Sequence, residues 1–329
     1  MVGLLGSGSW ATAIVKILLE QPQREVHWWV REPDIIEGLV REGRNPTYLS
    51  ETMLDVRRLH LTSDIERVVE YCDDLFVVVP SAFLASALEG VRAEMVQGKR
   101  FHSAVKGIVP QTNQIVTDFL HQTLGIPDDM LSVVSGPSHA EETARNKLTY
   151  LTVASSSTAT AERARQLLNC NYVNTTYTTD MRGVEFAAVM KNIYAIAVGL
   201  CHGLGFGDNL IAVLISNAVA EMQQFMDYSA PASVRHMHRY AYLGDLLVTC
   251  YSQFSRNRTF GNMVGWGYSV KAAQLEMKMV AEGYYAAACV ERMRAEGGLA
   301  MPIAQTVYNI LYQHADAAVV MRQLAENLK

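Results

Sequence analysis

The first twenty residues constrain this chain most. Val2–Leu5 is a short apolar run, Gly6-Ser7-Gly8-Ser9-Trp10-Ala11 follows it, and apolar residues then recur at helical spacing as far as Glu20. Strand, glycine turn and helix in that order give each small residue a task. Gly6 allows the tight turn, Gly8 lets a pyrophosphate approach the backbone, and Ala11 is small enough for the helix to pack on the strand. The helix opening near Ser9 and Trp10 presents unpaired N–H groups to phosphates. A glycine motif alone is weak. In this setting it predicts a dinucleotide-binding Rossmann domain.

The rest of the first half keeps that rhythm. Short apolar or β-branched runs at 25–30, 75–79, 101–105, Leu131–Ser135, 151–154 and 172–178 read as strands. The segments 9–20, 111–124 and 157–168 between them read as helices. Alternation at this spacing predicts a doubly wound, mainly parallel α/β sheet. From Gly183 onward the pattern is helical and rich in Ala, Met, Leu and Glu. The boundary falls at about 180, giving a nucleotide-binding domain over 1–179 and an all-helical domain over 180–329.

Composition narrows the function class. A net charge of −5, with no basic block, argues against nucleic acid as a partner. The five cysteines are scattered and form no C-x-x-C pair, which suits small buried residues in a reducing cytoplasm rather than disulfides or a zinc site. No metal is expected. The apolar N-terminus lacks a basic flank and is broken by Gly6 and Gly8, so it does not read as a signal peptide. No uncharged apolar stretch reaches membrane-spanning length, so no stable membrane association is expected.

The end of the second strand bears on the cofactor. It reads Trp28-Trp29-Val30-Arg31-Glu32. Arg31 is suited to a 2′-phosphate or to stacking on adenine, whereas Glu32 is suited to ribose hydroxyls. Arg31 favours NADPH, or use of both NADPH and NADH. A solvated ion pair is the plainer reading.

Four later segments carry polar residues in unusual settings. Lys106 lies just beyond an apolar strand, where open α/β sheets bind ligands. Ser135-Gly136-Pro137-Ser138-His139-Ala140 follows another strand. Lys191-Asn192 interrupts an almost wholly apolar helix. A lysine there loses pKa by desolvation and so suits a general base for an alcohol proton, unless its amine reaches water. Gly244-Asp245 precedes Ser255-Arg256-Asn257-Arg258, which combines hydroxyl, amide and forked cations suited to a phosphate.

Taken together these segments resemble the bacterial type of NAD(P)-dependent glycerol-3-phosphate dehydrogenase. The resemblance rests on Gly6-Ser7-Gly8-Ser9-Trp10, Val105-Lys106-Gly107, Ser135-Gly136-Pro137-Ser138, Lys191-Asn192, Gly203-Leu204-Gly205-Phe206-Gly207-Asp208-Asn209, Gly244-Asp245-Leu246, the Ser255–Gly261 stretch and Met301-Pro302-Ile303. It implies a Rossmann domain followed by an all-helical domain, in the 6-phosphogluconate-dehydrogenase-like arrangement. It implies reversible reduction of dihydroxyacetone phosphate to sn-glycerol 3-phosphate for phospholipid synthesis, and a homodimer. Lys191 matches the proton acceptor and Lys106 the second active-site lysine, touching substrate and cofactor. Asp245 would help to set the charge near Lys191. Gly136, Ser138, Asp245, Ser255, Arg256 and Asn257 match substrate contacts. Ser9, Trp10, Arg31, Ala140, Arg256, Val280 and Glu282 match cofactor contacts.

The chain departs from the family at His139 and Glu142, at Leu210-Ile211, where Thr-Lys is usual, at Ser216-Asn217, where an Arg is expected nearby, and across 225–242. The lost Lys and Arg bear on one face of the substrate pocket. Two other readings stay open at this level: a two-domain dehydrogenase of a 3-hydroxy acid or sugar acid, and a non-catalytic NAD(P) sensor.

Overall fold

Strands covered on both faces read as near-continuous apolar runs, and most strands of this chain do. A computed structural model describes residues 1–232, 234–277 and 281–329. Its eight-stranded sheet runs, edge to edge, Val173–Thr178, Thr149–Ala154, Leu131–Ser135, Arg100–Ser103, Asp74–Val77, Val2–Leu5, Val26–Trp29 and Leu59–Thr62. All pairings are parallel except Leu131–Ser135 with Thr149–Ala154. The doubly wound, mainly parallel sheet expected from the sequence is therefore present.

Two local expectations need correction. The helix anticipated at 111–124 starts only at Val116 and ends at Leu124. The edge strand Leu59–Thr62 was not anticipated. Only Leu59 of its four residues is buried, because an edge strand lacks a second neighbour, and so it shows no continuous apolar run.

The chain divides into two compact units, one of residues 1–105 with 114–181 and one of 106–113 with 182–329. The first holds the sheet, with Leu4, Trp28, Phe76 and Leu151 in its core. The second, apart from residues 106–113, is helical among its described residues. At its centre is Met181–Gly203, apolar all round, as a core helix must be. Its length and hydropathy would also suit a membrane span, yet its apolar window is entirely buried within the structure.

Glycines set how closely this central helix is approached. A Cβ on Gly261 would lie 2.1 Å from the carbonyl oxygen of Ile196, and one on Gly199 would lie 2.1 Å from that of Arg258. Met181–Gly203 and Arg256–Gly265 thus cross backbone to backbone. Gly261→Ala forces two helices apart rather than moving a flexible side chain. It is expected to cost at least about 3 kcal/mol, at the upper end for overpacked cores. Thermal unfolding should show a Tm several degrees lower.

A buried carboxylate holds another helix. Glu221 accepts hydrogen bonds from the amides of Ile303 and Ala304, both at 2.9 Å, at the start of Pro302–Tyr312. Four of the five cysteines are buried, and burial pushes the thiols of Cys201 and Cys250 up to about 12, so they behave as packing residues.

Candidate active site

In the sheet unit, the glycine turn is shaped by its neighbours. Gly6 has φ +126°, and a Cβ there would sit 2.9 Å from the Val78 carbonyl group. This close approach requires glycine. The Gly6 carbonyl accepts from the Trp28 indole N–H at 2.6 Å. Asn45, fully buried, donates from Nδ2 to the Ser7 carbonyl at 2.9 Å and to Thr12 Oγ1 at 3.0 Å, while its Oδ1 accepts from the amides of Thr47 and Tyr48. Asn45 therefore ties the 45–48 loop to the turn. Nothing local in the sequence signals the link to the turn, since Ser7 and Thr12 lie more than thirty residues from Asn45.

A dinucleotide fits this turn. A Cβ on Gly8 would meet nothing within 4 Å, so the backbone there is open to a pyrophosphate. The Ser9–Leu19 helix begins at Gly8 with no side-chain cap, leaving its N-terminal dipole to act on an anion. The indole nitrogen of Trp10 is a buried donor with no acceptor among the described residues. At the end of Val26–Trp29, Arg31 donates to Glu32 Oε1 from Nε at 3.0 Å and Nη2 at 2.7 Å. Burial works to raise the Glu32 carboxyl, but the hydrogen bonds from Ser7 and Arg31 outweigh it and hold the group below the usual carboxylate range.

Gly136 lies at the end of Leu131–Ser135 with φ +124°, and a Cβ there would sit 2.5 Å from the Tyr150 carbonyl oxygen. Ser138 Oγ donates to the Gly136 carbonyl at 2.9 Å. Ala140 starts the short helix Ala140–Ala144, with His139 at the N-cap position and no side-chain capping bond.

The second unit gathers the polar residues that the sequence scatters. Lys191 projects from the apolar helix and donates to Asp245 Oδ1 at 2.5 Å and to Thr249 Oγ1 at 2.9 Å. Lys106 donates to the other oxygen, Asp245 Oδ2, at 3.1 Å. Asn192 donates to the Lys106 carbonyl at 2.7 Å. Thr249 donates to the Asp245 carbonyl at 2.6 Å. One buried carboxylate thus bridges two lysines. Asp245 is 1% exposed and Lys191 4%, so these charges interact far more strongly than surface ions would.

Burial is the largest effect on Lys191 and lowers its pKa to about 7. The Asp245 charge opposes that shift and the Lys106 charge reinforces it. For Asp245, burial works against ionisation, but the two lysines outweigh it and its pKa falls below the ordinary value. The cluster therefore holds a fixed carboxylate next to an amine poised to exchange a proton near neutrality.

Asp245 starts the helix Asp245–Tyr251 directly after a π-helical turn, Tyr240–Gly244. Such turns recur at functional sites. Ser255 caps Arg256–Gly265, accepting from the Arg258 amide. Asn257 Oδ1 accepts from the Gly283 amide at 2.9 Å, which fixes Asn257 beside the start of Glu282–Gly297. Arg256 is exposed. Val280 lies outside the described residues. No group of three or more His, Cys, Asp or Glu is placed to hold a metal ion among the described residues.

Thr249 was missed from sequence, although it sits one helical turn after Asp245 on the same face. Asn192 was noted only as the neighbour of Lys191. The departures have structural settings. Ile211 is buried in the helix Asp208–Ser229. Asn217 donates to the Lys329 carbonyl at 2.7 Å and accepts from the Lys329 amide at 3.2 Å, which pins the last residue.

Residues 1–161 match the family model described as the NAD-dependent glycerol-3-phosphate dehydrogenase N-terminus, and residues 180–322 match the C-terminus of the same family. The chain belongs to the NAD-dependent glycerol-3-phosphate dehydrogenase family. It is accordingly an NAD(P)-dependent oxidoreductase acting on a CH–OH group. A glycerol-3-phosphate dehydrogenase (NAD(P)+) of Edwardsiella ictaluri is 35% identical over 319 residues, covering 96% of this chain and 92% of the relative. One of Pelodictyon phaeoclathratiforme is 32% identical over 313 residues, covering 95% and 93%. The crystal structure of glycerol-3-phosphate dehydrogenase from Coxiella burnetii superposes with a TM-score of 0.92 at 29% identity, covering 99% of this chain and 98% of that one.

Proposed function

We propose that the chain interconverts dihydroxyacetone phosphate and sn-glycerol 3-phosphate, with Lys191 as the proton acceptor and donor. The observation that carries this reading is the buried Lys106–Asp245–Lys191 cluster. A nicotinamide held by the dinucleotide-binding residues named below would supply or accept a hydride at C2 of the triose. In oxidation Lys191, neutral, takes the proton from the C2 hydroxyl. In reduction its ammonium form gives that proton to the developing alkoxide. Asp245 holds Lys191 in place and sets its charge, and Thr249 fixes the direction of the amine. Lys106, anchored by Asp245 and through its carbonyl by Asn192, contacts substrate and cofactor. Gly136, Ser138, Ser255, Arg256 and Asn257 match the family's substrate contacts and are assigned to the phosphorylated triose. Gly6, Gly8, Ser9, Trp10, Arg31, Ala140, Arg256, Val280 and Glu282 bind the dinucleotide.

On this reading residues 1–179 form the NAD(P)-binding domain and 180–329 the all-helical substrate-binding and catalytic domain, with residues of each also serving the other ligand. The product feeds glycerophospholipid synthesis. The reading includes a cytoplasmic setting, supported by five free cysteines, four of them buried. It also includes a homodimer, supported only by likeness to the family.

Steady-state kinetics with dihydroxyacetone phosphate and each reduced cofactor test the reading. Turnover of the triose phosphate, with none of 3-hydroxy acids or sugar acids, is expected. Turnover of a hydroxy acid alone would overturn the substrate. Cofactor binding without turnover of any of these would favour a sensor.

A further inference from the structure

The end of the Val26–Trp29 strand is built around Glu32 rather than Arg31. Glu32 Oε2 accepts from the Ser7 hydroxyl at 2.6 Å, and Ser7 stands between the two glycines of the phosphate turn. Its other oxygen takes both donors from Arg31. The acid is thus latched against the turn, with its side chain 35% exposed, while the guanidinium lies outside it at 69%. In a Rossmann domain the position just past the second strand meets the adenosine ribose. An acid held there accepts hydrogen bonds from the ribose diol. A 2′-phosphate, carrying a charge near −2 (about −1.5 to −2 at pH 7), would meet a carboxylate first. Arg31, already joined to that carboxylate, would have to leave it.

We propose that Glu32 is the residue that sets cofactor choice, and that the Ser7–Glu32–Arg31 arrangement makes this chain prefer NAD(H) over NADP(H). This rests on the glycine turn binding a dinucleotide and deepens the function given above. Arg31 alone, read from sequence, points toward NADPH. On this proposal Glu32 outweighs it, because the guanidinium is engaged by the neighbouring acid. Ser7 contributes as a positioning residue, since its hydroxyl holds the carboxylate at the turn.

The test is isothermal titration of the intact protein with NADH, NADPH, ADP-ribose and 2′-phospho-ADP-ribose, none of which requires turnover. The wild type should bind NADH and ADP-ribose at least about tenfold more tightly than their 2′-phosphorylated counterparts, the scale of one charge-assisted hydrogen bond. Glu32→Gln should close that gap, mainly by tightening the 2′-phosphorylated ligands. Ser7→Ala should narrow it partly, and Arg31→Ala should weaken the 2′-phosphorylated ligands more than the others. Equal or tighter binding of NADPH by the wild type would overturn the proposal. So would an unchanged preference ratio in Glu32→Gln. Tight NADH binding without turnover of dihydroxyacetone phosphate would instead sink the functional reading and leave this inference standing.

Discussion

Replacing Lys191 with Ala is expected to lower kcat by about 10³- to 10⁴-fold while leaving dinucleotide affinity within a few-fold of wild type. The lower part of that range is what a positioned acid–base group contributes. The upper part reflects loss of a cation beside the developing alkoxide. Lys191→Met, which keeps the volume of the stem, should be equally inactive. That outcome separates proton transfer from packing, because truncation to Ala also opens space in the apolar helix. Titration calorimetry with the cofactor and kinetics in both directions check the two halves. Near-normal turnover by either variant would remove Lys191 from the mechanism.

Asp245→Asn should be the second most damaging change, by a different route. The carboxylate opposes the downward shift of Lys191. Its removal therefore lowers the Lys191 pKa further and leaves Lys106 and Lys191 facing each other without an anion between them. Oxidation should then reach its plateau at lower pH than in the wild type, and reduction should fail at lower pH. A loss of about 10²-fold or more in kcat is expected, the scale of losing one buried charge-assisted contact. The shift of the profile is the more telling readout, because misfolding lowers activity without moving it. Wild-type pH dependence in the Asp245→Asn variant would show that Asp245 does not govern the charge on Lys191.

Much of this was legible in the sequence, for identifiable reasons. The glycine turn declares itself because every residue of it is local: strand, Gly6, Gly8 and helix follow in one run. Lys191 declares itself by contrast, as a charge inside an apolar helix. What stayed hidden depends on residues distant in the chain. Asn45 reaches back to Ser7 and Thr12 with no spacing to announce it, and that Asp245 lies beside Lys191 was available only from the resemblance, not from the residues themselves. The edge strand Leu59–Thr62 was hidden because an edge position removes the apolar signature of a buried strand. The bond from Ser7 to Glu32 was hidden for the same reason as the bonds of Asn45, since it exists only once the strand end and the turn are brought together.

The most direct test of the central claim is the pH dependence of kcat/KM in both directions between about pH 6.5 and 9.5, above the second ionisation of a phosphate ester. With Lys191 titrating near 7, oxidation of glycerol 3-phosphate should rise as pH increases through about 7 and then level off, because the neutral amine is the active form. Reduction of dihydroxyacetone phosphate should be flat below about 7 and fall above it, because the ammonium is the active form. Two profiles that cross in this way, both lost in Lys191→Met, are the expected result. Profiles that rise or fall together through this range, or an inflection near 7 that survives in Lys191→Met, would contradict it.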